Sequence, residues 1–283
     1  MPAVRCTVFG HPVAHSLSPR LHALFAEQTG IALEYTAIDA APDEFGHAVR
    51  EFFAHGGRGA NVTLPHKAAA FALADVRTHT ARRLGVANVL TLLPDGRVEA
   101  GSNDGAGMLA DLHGRFGVDP CERDVLLLGA GGAARAAAFA LLDAGARDLT
   151  LANRTPARAQ ALAAMLSEPK RTRVVDWGAL DRCEAFDLIV NATSAGVQHE
   201  VLMLPRSLVC SRTFAYDLSY GAGAQPFMAW ARQAGCAATF DGLGMLVETA
   251  AASFERWHGV RPDVDAALRD LHEGLAHPPD AAH

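Results

Sequence analysis

Short apolar runs alternate with amphipathic segments along most of the chain. Residues 4–9 are rich in β-branched and apolar side chains and stop at Gly10, a pattern that predicts a strand. Residues 42–55 carry apolar side chains at helical spacing, which predicts a helix. The same alternation continues to residue 275 and predicts an α/β protein with a tail, 277–283, that frays. The predicted strands are 4–9, 34–38, 59–63, 89–92, 97–100, 124–128, 148–152, 173–175, 187–191 and 213–217, and the predicted helices are 19–29, 42–55, 67–74, 107–115, 133–144, 156–166, 226–234, 243–258 and 263–275.

The segment 124–152 has the order of a parallel βαβ unit: strand, glycine-rich turn, helix and strand. Its turn, GAGGAA at 129–134, is a variant of G-x-G-x-x-G that follows a strand directly and opens a helix. Glycines allow the backbone to approach a pyrophosphate, and a helix N-terminus offers free N–H groups and a positive dipole. The turn therefore predicts a dinucleotide site.

The end of the second strand of this unit indicates which nicotinamide is bound. NAD sites have Asp or Glu there for the ribose 2′-hydroxyl, whereas this chain has Asn153, Arg154 and Thr155, with Arg158 one turn later. Guanidinium groups suit a 2′-phosphate. The cofactor expected is NADP.

The element order predicts two α/β domains. The first is a substrate domain, residues 1–104, completed by the C-terminal helices of 243–283, and the second is a Rossmann-type NADP-binding domain, residues 105–242. A ligand cleft is expected between them.

Polar residues cluster within the apolar first domain. Ser16 and Ser18 precede a helix, residues 61–67 alternate polar and apolar side chains and end in Lys67, and Asn88 lies between apolar neighbours. Singly, each has a simpler interpretation, as a helix cap, a strand-end amide or a surface lysine. Together they predict a pocket of hydroxyls and amides around one amine, suited to a small polyhydroxy acid.

Composition narrows the choice of partners. The chain has 283 residues, of which 50% are hydrophobic and 20% charged, so it is not disordered. A formal net charge of −6 argues against nucleic acid or an anionic membrane as a main partner, and no apolar run reaches membrane-spanning length. Residues 1–10 run directly into a strand-like segment, so no signal peptide is expected.

Cysteine and histidine usage point to a reduced compartment and to no metal. Five scattered cysteines, none in a C-x-x-C motif, predict unpaired thiols and a cytoplasmic protein. His11 and His15 have i,i+4 spacing, but Pro12 disfavours a helix there, and no metal site is expected.

Eight motifs, in order and spacing, resemble those of the shikimate dehydrogenase (shikimate/quinate dehydrogenase) family. They are GHPVAHSLSP (10–19), NVTLPHK (61–67), DGAG (104–107), GAGGAARA (129–136), NRT (153–155), NATSAG (191–196), YDLSY (216–220) and DGLGMLV (241–247).

The resemblance implies an oxidoreductase that reduces 3-dehydroshikimate to shikimate with NADPH, in chorismate and aromatic amino-acid biosynthesis. It implies that Lys67 and Asp104 form the catalytic pair. It further implies a substrate site of Ser16, Ser18, Asn61, Thr63, Lys67, Asn88, Asp104 and Tyr220, with Thr249 at a position where the family has glutamine, and an NADP site of Gly129, Ala130, Gly131, Gly132, Ala133, Asn153, Arg154, Thr155, Arg158, Thr193, Leu218 and Gly242.

Three residues depart from the family pattern near the substrate. Val89 and Asn103 stand where threonine is usual, and Thr249 replaces the glutamine. These changes keep two alternatives open: an oxidoreductase of quinate or another cyclic polyhydroxy acid, and a non-catalytic NADP-binding relative. A monomer or homodimer is expected.

Overall fold

The computed structural model describes residues 3–196, 200 and 202–276; the tail predicted to fray, 277–283, lies outside them. The chain divides into two compact units, Met1–Asn103 with Val247–His283, and Asp104–Leu246. Relative to the bounds expected from the sequence, Asp104 and residues 243–246 belong to the second unit.

Strands and helices alternate through both units. The strands are β1 (Val4–Gly10), β2 (Leu33–Asp39), β3 (Gly57–Val62), β4 (Val76–Arg77), β5 (Val89–Leu92), β6 (Val98–Gly101), β7 (Asp124–Leu128), β8 (Asp148–Asn153), β9 (Thr172–Asp176), β10 (Leu188–Asn191), β11 (Phe214–Asp217) and β12 (Ala238–Phe240). The helices are α1 (Ser18–Thr29), α2 (Phe45–Ala54), α3 (Lys67–Leu73), α4 (His79–Leu84), α5 (Asp104–Gly114), α6 (Gly132–Asp143), α7 (Pro156–Leu166), α8 (Gln225–Ala234), α9 (Leu243–His258) and α10 (Val264–Ala276), with 3₁₀ turns at Trp177–Arg182, Arg206–Leu208 and Gly221–Gly223.

The first unit is built on a mixed six-stranded sheet with the order β2-β1-β3-β5-β6-β4. β1 is parallel to β2 and β3, whereas β5 is antiparallel to both β3 and β6. Phe9 of β1 packs edge-to-face against Phe45 and Phe52 of α2, with ring centroids 5.8 and 5.9 Å apart. Such aromatic pairs bury large apolar areas and hold α2 on the sheet.

Helix α9 covers part of the same sheet. Trp257 is 5% exposed, packs with Cys6 and Val89, and donates its ring N–H to Thr91 Oγ1 at 3.2 Å. The C-terminal segment is therefore an integral part of the first unit.

The second unit contains an all-parallel six-stranded sheet in the order β12-β11-β10-β7-β8-β9. Counted from β7 as the first strand, this is the 3-2-1-4-5-6 order of a doubly wound Rossmann sheet. The apolar residues of β7, Val125 to Leu128, are fully buried, as expected for a strand covered on both faces. The order reverses between β7 and β10, the place where such sheets bind ligands.

Small side chains allow α5 and α6 to approach closely. A Cβ at Gly105 would lie 2.6 Å from the carbonyl oxygen of Ala136. Ala134, Ala137 and Ala138 of α6 are buried at 0–1% exposure. The alanine-rich sequence of α6 thus serves helix packing as well as helix propensity.

The predicted elements are present within a few residues of their expected ends. The pattern missed the two-residue β4, the six-residue α4 and the three-residue β12, which are too short to show a period. Helix α5 begins at Asp104 rather than at residue 107. Within the described residues, no helix is long and apolar enough to cross a membrane.

Candidate active site and cofactor site

Three asparagines lie close together at the ends of neighbouring strands of the first sheet. Asn61 lies near the end of β3, Asn88 immediately before β5, and Asn103 shortly after β6. Because β5 runs antiparallel to both neighbours, its start lies beside the ends of β3 and β6. Accordingly, Val62 donates its N–H to Asn88 O at 2.8 Å, and Asn88 donates its own to Gly101 O at 3.0 Å.

The Asn88 side chain is held by Asn103. Asn88 Oδ1 accepts the Asn103 backbone N–H at 3.0 Å, and Asn88 Nδ2 donates to Asn103 Oδ1 at 2.7 Å. Asn88 is only 4% exposed. Its amide therefore has a defined orientation.

Asn61 is fixed in the same way by two other elements. Its Oδ1 accepts from Tyr35 Oη at 2.8 Å, and its Nδ2 donates to Ser253 Oγ of α9 at 2.8 Å. Both ends of the amide have partners, so its orientation is also defined.

Lys67 begins α3, directly after the loop that follows β3. Ala87 donates its N–H to Lys67 O at 2.9 Å, which places the Lys67 backbone next to the segment that carries Asn88. His66 is 2% exposed, stacks on Phe45 with centroids 4.4 Å apart, and has Nε2 2.8 Å from Ala40 O. Burial lowers the pKa of His66, so its neutral form is favoured as an anchor for the start of α3.

Thr63 and the two serines lie at the same end of the sheet. Thr63 donates its N–H to Phe9 O at 2.9 Å, and a Cβ at Gly10 would come 2.6 Å from Thr63 Cγ2. A larger residue at position 10 would therefore crowd the Thr63 side chain. Ser18 opens α1, and its N–H donates to Ser16 Oγ at 3.3 Å. Asn61, Thr63, Lys67, Asn88 and the serines are thus carried by neighbouring segments of one unit.

Three further predicted substrate residues lie elsewhere in the chain. Asp104, which is 5% exposed, opens α5 in the second unit, and Tyr220 precedes the 3₁₀ turn Gly221–Gly223 of that unit. Thr249 lies on α9 in the first unit, where its Oγ1 is buried without a hydrogen-bond partner among the described residues.

The glycine turn of the second unit lies where the strand order reverses. Gly129 follows β7 with φ +110°, and a Cβ there would lie 2.8 Å from Ala192 O, just after β10. Only glycine adopts this φ at little cost. A Cβ at Gly131 would meet nothing within 4 Å, so open space lies before the N-terminus of α6 at Gly132. A glycine-rich turn that leads into a helix N-terminus is a type of structure that binds anions in proteins.

The predicted 2′-phosphate residues lie at the end of β8 and directly after it. Asn153 Nδ2 donates to Thr155 O at 2.9 Å, shaping the turn into α7. Arg154 and Arg158 are both exposed. Arg154 Nη1 lies 2.6 Å from Glu200 Oε2.

A buried carboxyl anchors the segment after β10. Asp217 accepts from Asn191 Nδ2 and from the Ser219 N–H, each at 2.8 Å, and Asn191 Oδ1 accepts from Thr193 Oγ1 at 2.8 Å. Burial raises the pKa of Asp217 to about 6. On the next loop, a Cβ at Gly242 would clash with Leu218 O, so Leu218 and Gly242 are close neighbours.

Comparison with known proteins identifies the family. Models described as shikimate dehydrogenase substrate binding domain, shikimate / quinate 5-dehydrogenase and shikimate 5′-dehydrogenase C-terminal domain match residues 8–90, 114–206 and 242–269. The shikimate dehydrogenase (NADP(+)) of Xanthomonas campestris pv. campestris (strain B100) is 55% identical over 267 residues, 94% of this chain and 94% of that protein. The chain belongs to the shikimate dehydrogenase family. The resemblance found in the sequence motifs is confirmed.

Solved structures similar to this member of the shikimate dehydrogenase family share its fold. The Ael1 enzyme from Pseudomonas putida is 42% identical with a TM-score of 0.87, covering 95% of this chain and 98% of that one. Shikimate 5-dehydrogenase from Thermus thermophilus, solved in complex with NADP(H) and shikimate, is 33% identical with a TM-score of 0.81, covering 95% and 99%. The predicted fold class is confirmed.

Sequence reasoning missed several residues that shape these shikimate dehydrogenase sites. Glu200 lies beside Arg154, Ser253 and Tyr35 hold Asn61, and Asp217 holds the Asn191 turn. Each contact joins residues that are distant in the chain. Glu200, Ser253 and Tyr35 lie outside the eight motifs, and the motif that contains Asp217 does not indicate its contact with Asn191. Asn103 departs from the family pattern in the sequence, but only the structure shows its hydrogen bond to Asn88.

Proposed function

We propose that the chain catalyses the reversible NADP-dependent reduction of 3-dehydroshikimate to shikimate, within chorismate and aromatic amino-acid biosynthesis. The observation that carries this proposal is the 55% identity, over 94% of both chains, to an NADP(+)-dependent shikimate dehydrogenase. The expected enzyme class, an oxidoreductase, and the expected cofactor, NADP, are confirmed by relatives at 50–55% identity that carry the name shikimate dehydrogenase (NADP(+)).

The first unit is the proposed substrate domain. Its proposed site consists of Ser16, Ser18, Asn61, Thr63, Lys67, Asn88 and Thr249, with Asp104 and Tyr220 contributed by the second unit. The clustering of Asn61, Lys67 and Asn88 at one sheet edge supports this assignment. Amides and hydroxyls can donate to and accept from the hydroxyl and carboxylate groups of a ring acid without adding charge.

Lys67 and Asp104 are the proposed catalytic pair. When bound, NADPH supplies the hydride. Negative charge then develops on the substrate oxygen, and the Lys67 ammonium stabilises it and delivers a proton. In the reverse direction the neutral amine accepts that proton. The Asp104 carboxylate is proposed to orient the amine.

The second unit is the proposed NADP domain. Gly129, Ala130, Gly131, Gly132 and Ala133 would hold the pyrophosphate at the N-terminus of α6, where the open space at Gly131 fits a phosphate group. Thr193, Leu218 and Gly242 would lie near the nicotinamide half. Asn153, Arg154, Thr155 and Arg158 would hold the adenosine 2′-phosphate, and the exposed guanidinium groups of Arg154 and Arg158 suit it.

A second candidate substrate is quinate or another cyclic polyhydroxy acid. The observation that favours it is Thr249, which stands where the family has a longer amide side chain. Loss of a polar contact to the substrate costs about 1–3 kcal/mol, which is enough to change the ring substrate that binds best.

The cellular location is proposed from the state of the cysteines. All five cysteines are free, which supports a reducing compartment, and we propose the cytoplasm. The expected monomer or homodimer stays a prediction.

Steady-state kinetics with a substrate and cofactor panel tests the function. NADPH absorbance is followed with 3-dehydroshikimate, and NADP⁺ or NAD⁺ reduction with shikimate and quinate. We expect the highest kcat/KM for shikimate with NADP⁺. A higher value for quinate would support the second candidate, and no turnover on any ring substrate would leave only a nucleotide-binding relative.

A further inference from the structure

We propose that Asn103 and Ser253 form a buried bridge that positions the two substrate-binding amides, Asn61 and Asn88. This inference rests on the proposed function and names positioning residues for that reaction. Asn103 stands where the family has threonine, and Ser253 lies on α9, far away in the sequence. Neither residue is in the proposed binding site.

Ser253 is the centre of the bridge. It is 0% exposed, and its Oγ accepts from Asn61 Nδ2 at 2.8 Å and from Asn103 Nδ2 at 3.1 Å. The same hydroxyl donates to Thr249 O at 3.0 Å. A serine hydroxyl has one donor and two acceptor positions, so its bonding capacity is filled.

Asn103 connects this hydroxyl to the other amide. Its Nδ2 donates to Thr249 O at 3.0 Å as well as to Ser253 Oγ, so both amide hydrogens face α9. Its Oδ1 accepts from Asn88 Nδ2 at 2.7 Å. Reversing the Asn103 amide would place its N–H groups against the Asn88 N–H and its oxygen against Thr249 O, which would leave buried donors and acceptors unpaired.

The orientation of Asn88 follows from that of Asn103. Asn88 Nδ2 faces an acceptor, Asn103 Oδ1. Asn88 Oδ1 faces a donor, the backbone N–H of Asn103. The position of the Asn88 amide nitrogen and oxygen is thereby fixed before a substrate arrives. Pre-organised polar groups bind more tightly because less ordering remains to be done on binding.

Threonine at position 103 could not make this bridge. A threonine hydroxyl has a single hydrogen, whereas Asn103 uses two donors and one acceptor at once. Asn103 therefore makes contacts with Ser253 and Thr249 that a threonine at this position could not make at the same time as the contact with Asn88. Asn61 shares the Ser253 hydroxyl, so its position depends on the same bridge.

The test compares Asn103→Thr and Ser253→Ala with Ser102→Ala as a matched control. Ser102 is the neighbour of Asn103, and its buried Oγ has no hydrogen-bond partner among the described residues. We measure kcat and KM for shikimate and for NADP⁺, with circular dichroism and Tm as folding checks. Both bridge variants are expected to raise the KM for shikimate about 5- to 100-fold and to leave the KM for NADP⁺ within about twofold. Ser102→Ala should leave both constants unchanged.

A double variant tests whether the two residues act together. Since both work through one bridge, Asn103→Thr with Ser253→Ala should raise the KM for shikimate by much less than the product of the single effects. A KM for shikimate equal to that of the wild type in the folded variants Asn103→Thr and Ser253→Ala would overturn the inference. Equal increases in the KM for shikimate and in the KM for NADP⁺ would also overturn it. If Asn103→Thr does not fold, Ser253→Ala alone decides. Failure of the proposed function is distinct, because the wild type would then turn over no ring substrate.

Discussion

Arg154 Nη1 lies 2.6 Å from Glu200 Oε2, although the two residues are 46 positions apart in the sequence. The sequence shows no carboxylate at the end of β8, but the fold brings one to the arginine proposed to bind the 2′-phosphate. A bound phosphate and this carboxylate would compete for the same guanidinium.

Replacing Arg154 by alanine should weaken NADP⁺ binding far more than NAD⁺ binding. A charge-assisted bond to phosphate is worth about 1.5–3 kcal/mol, so the Kd for NADP⁺ is expected to rise roughly 10- to 150-fold. Fluorescence titration with both cofactors measures the ratio. Equal losses for both cofactors would place the 2′-phosphate elsewhere.

Glu200→Gln should have the opposite effect. The amide keeps the size of the side chain but removes the charge that competes with phosphate. Since both partners are about half exposed, the pair itself is weak, and the Kd for NADP⁺ should fall only about two- to fivefold. NAD⁺ binding is the internal control, and a weaker affinity for NADP⁺ in this variant would show that Glu200 supports the site instead.

Lys67→Met removes the proposed proton donor while keeping an unbranched side chain. General acid–base catalysis contributes about 10²- to 10⁴-fold, and turnover should fall by that factor. NADP⁺ binding, measured by titration, should be nearly unchanged, because the residues proposed to hold the cofactor belong to the other unit. Turnover close to that of the wild type would remove Lys67 from the mechanism.

His22 makes the fold sensitive to acid. It is 0% exposed and stacks on Tyr35 with ring centroids 3.9 Å apart, and burial lowers its pKa to about 3. The unfolded chain takes up a proton below about pH 6.5, whereas the folded chain resists it until about pH 3. His22 thus costs stability as the pH falls through this window, by at most about 4–5 kcal/mol.

The variant His22→Phe keeps an aromatic ring and cannot titrate. Between pH 7 and pH 4, the Tm of His22→Phe should fall less than the Tm of the wild type. This expectation is independent of any difference in Tm between the two proteins at pH 7. Thermal unfolding by circular dichroism at several pH values gives both curves. Parallel curves would mean that acid sensitivity arises at other groups.

Much of the site was predictable because its residues are contiguous. Residues 129–134 carry a turn and a helix start in one short string, and residues 61–67 carry a strand end and the first residue of α3. Hydrophobic periodicity defines such elements wherever they are long enough to repeat it.

The remaining features depend on contacts that no local pattern encodes. Asn61 is bound by Ser253 across 192 positions, and Asn88 by Asn103 across 15. A serine on α9 has the same local appearance whether it faces solvent or receives two amides. The direction of each side chain is decided by packing, which is known only once the sheet and helix are assembled.

The first unit combines both ends of the chain, and this has a consequence during synthesis. On the ribosome, Asp104–Leu246 is synthesised before the remainder of α9, whereas Asn61 has no Ser253 to bind until residue 253 has been added. A nonsense mutation at residue 247 would therefore spare the parallel sheet of the second unit. It would leave Asn61, near the other end of the sequence, without its partner Ser253.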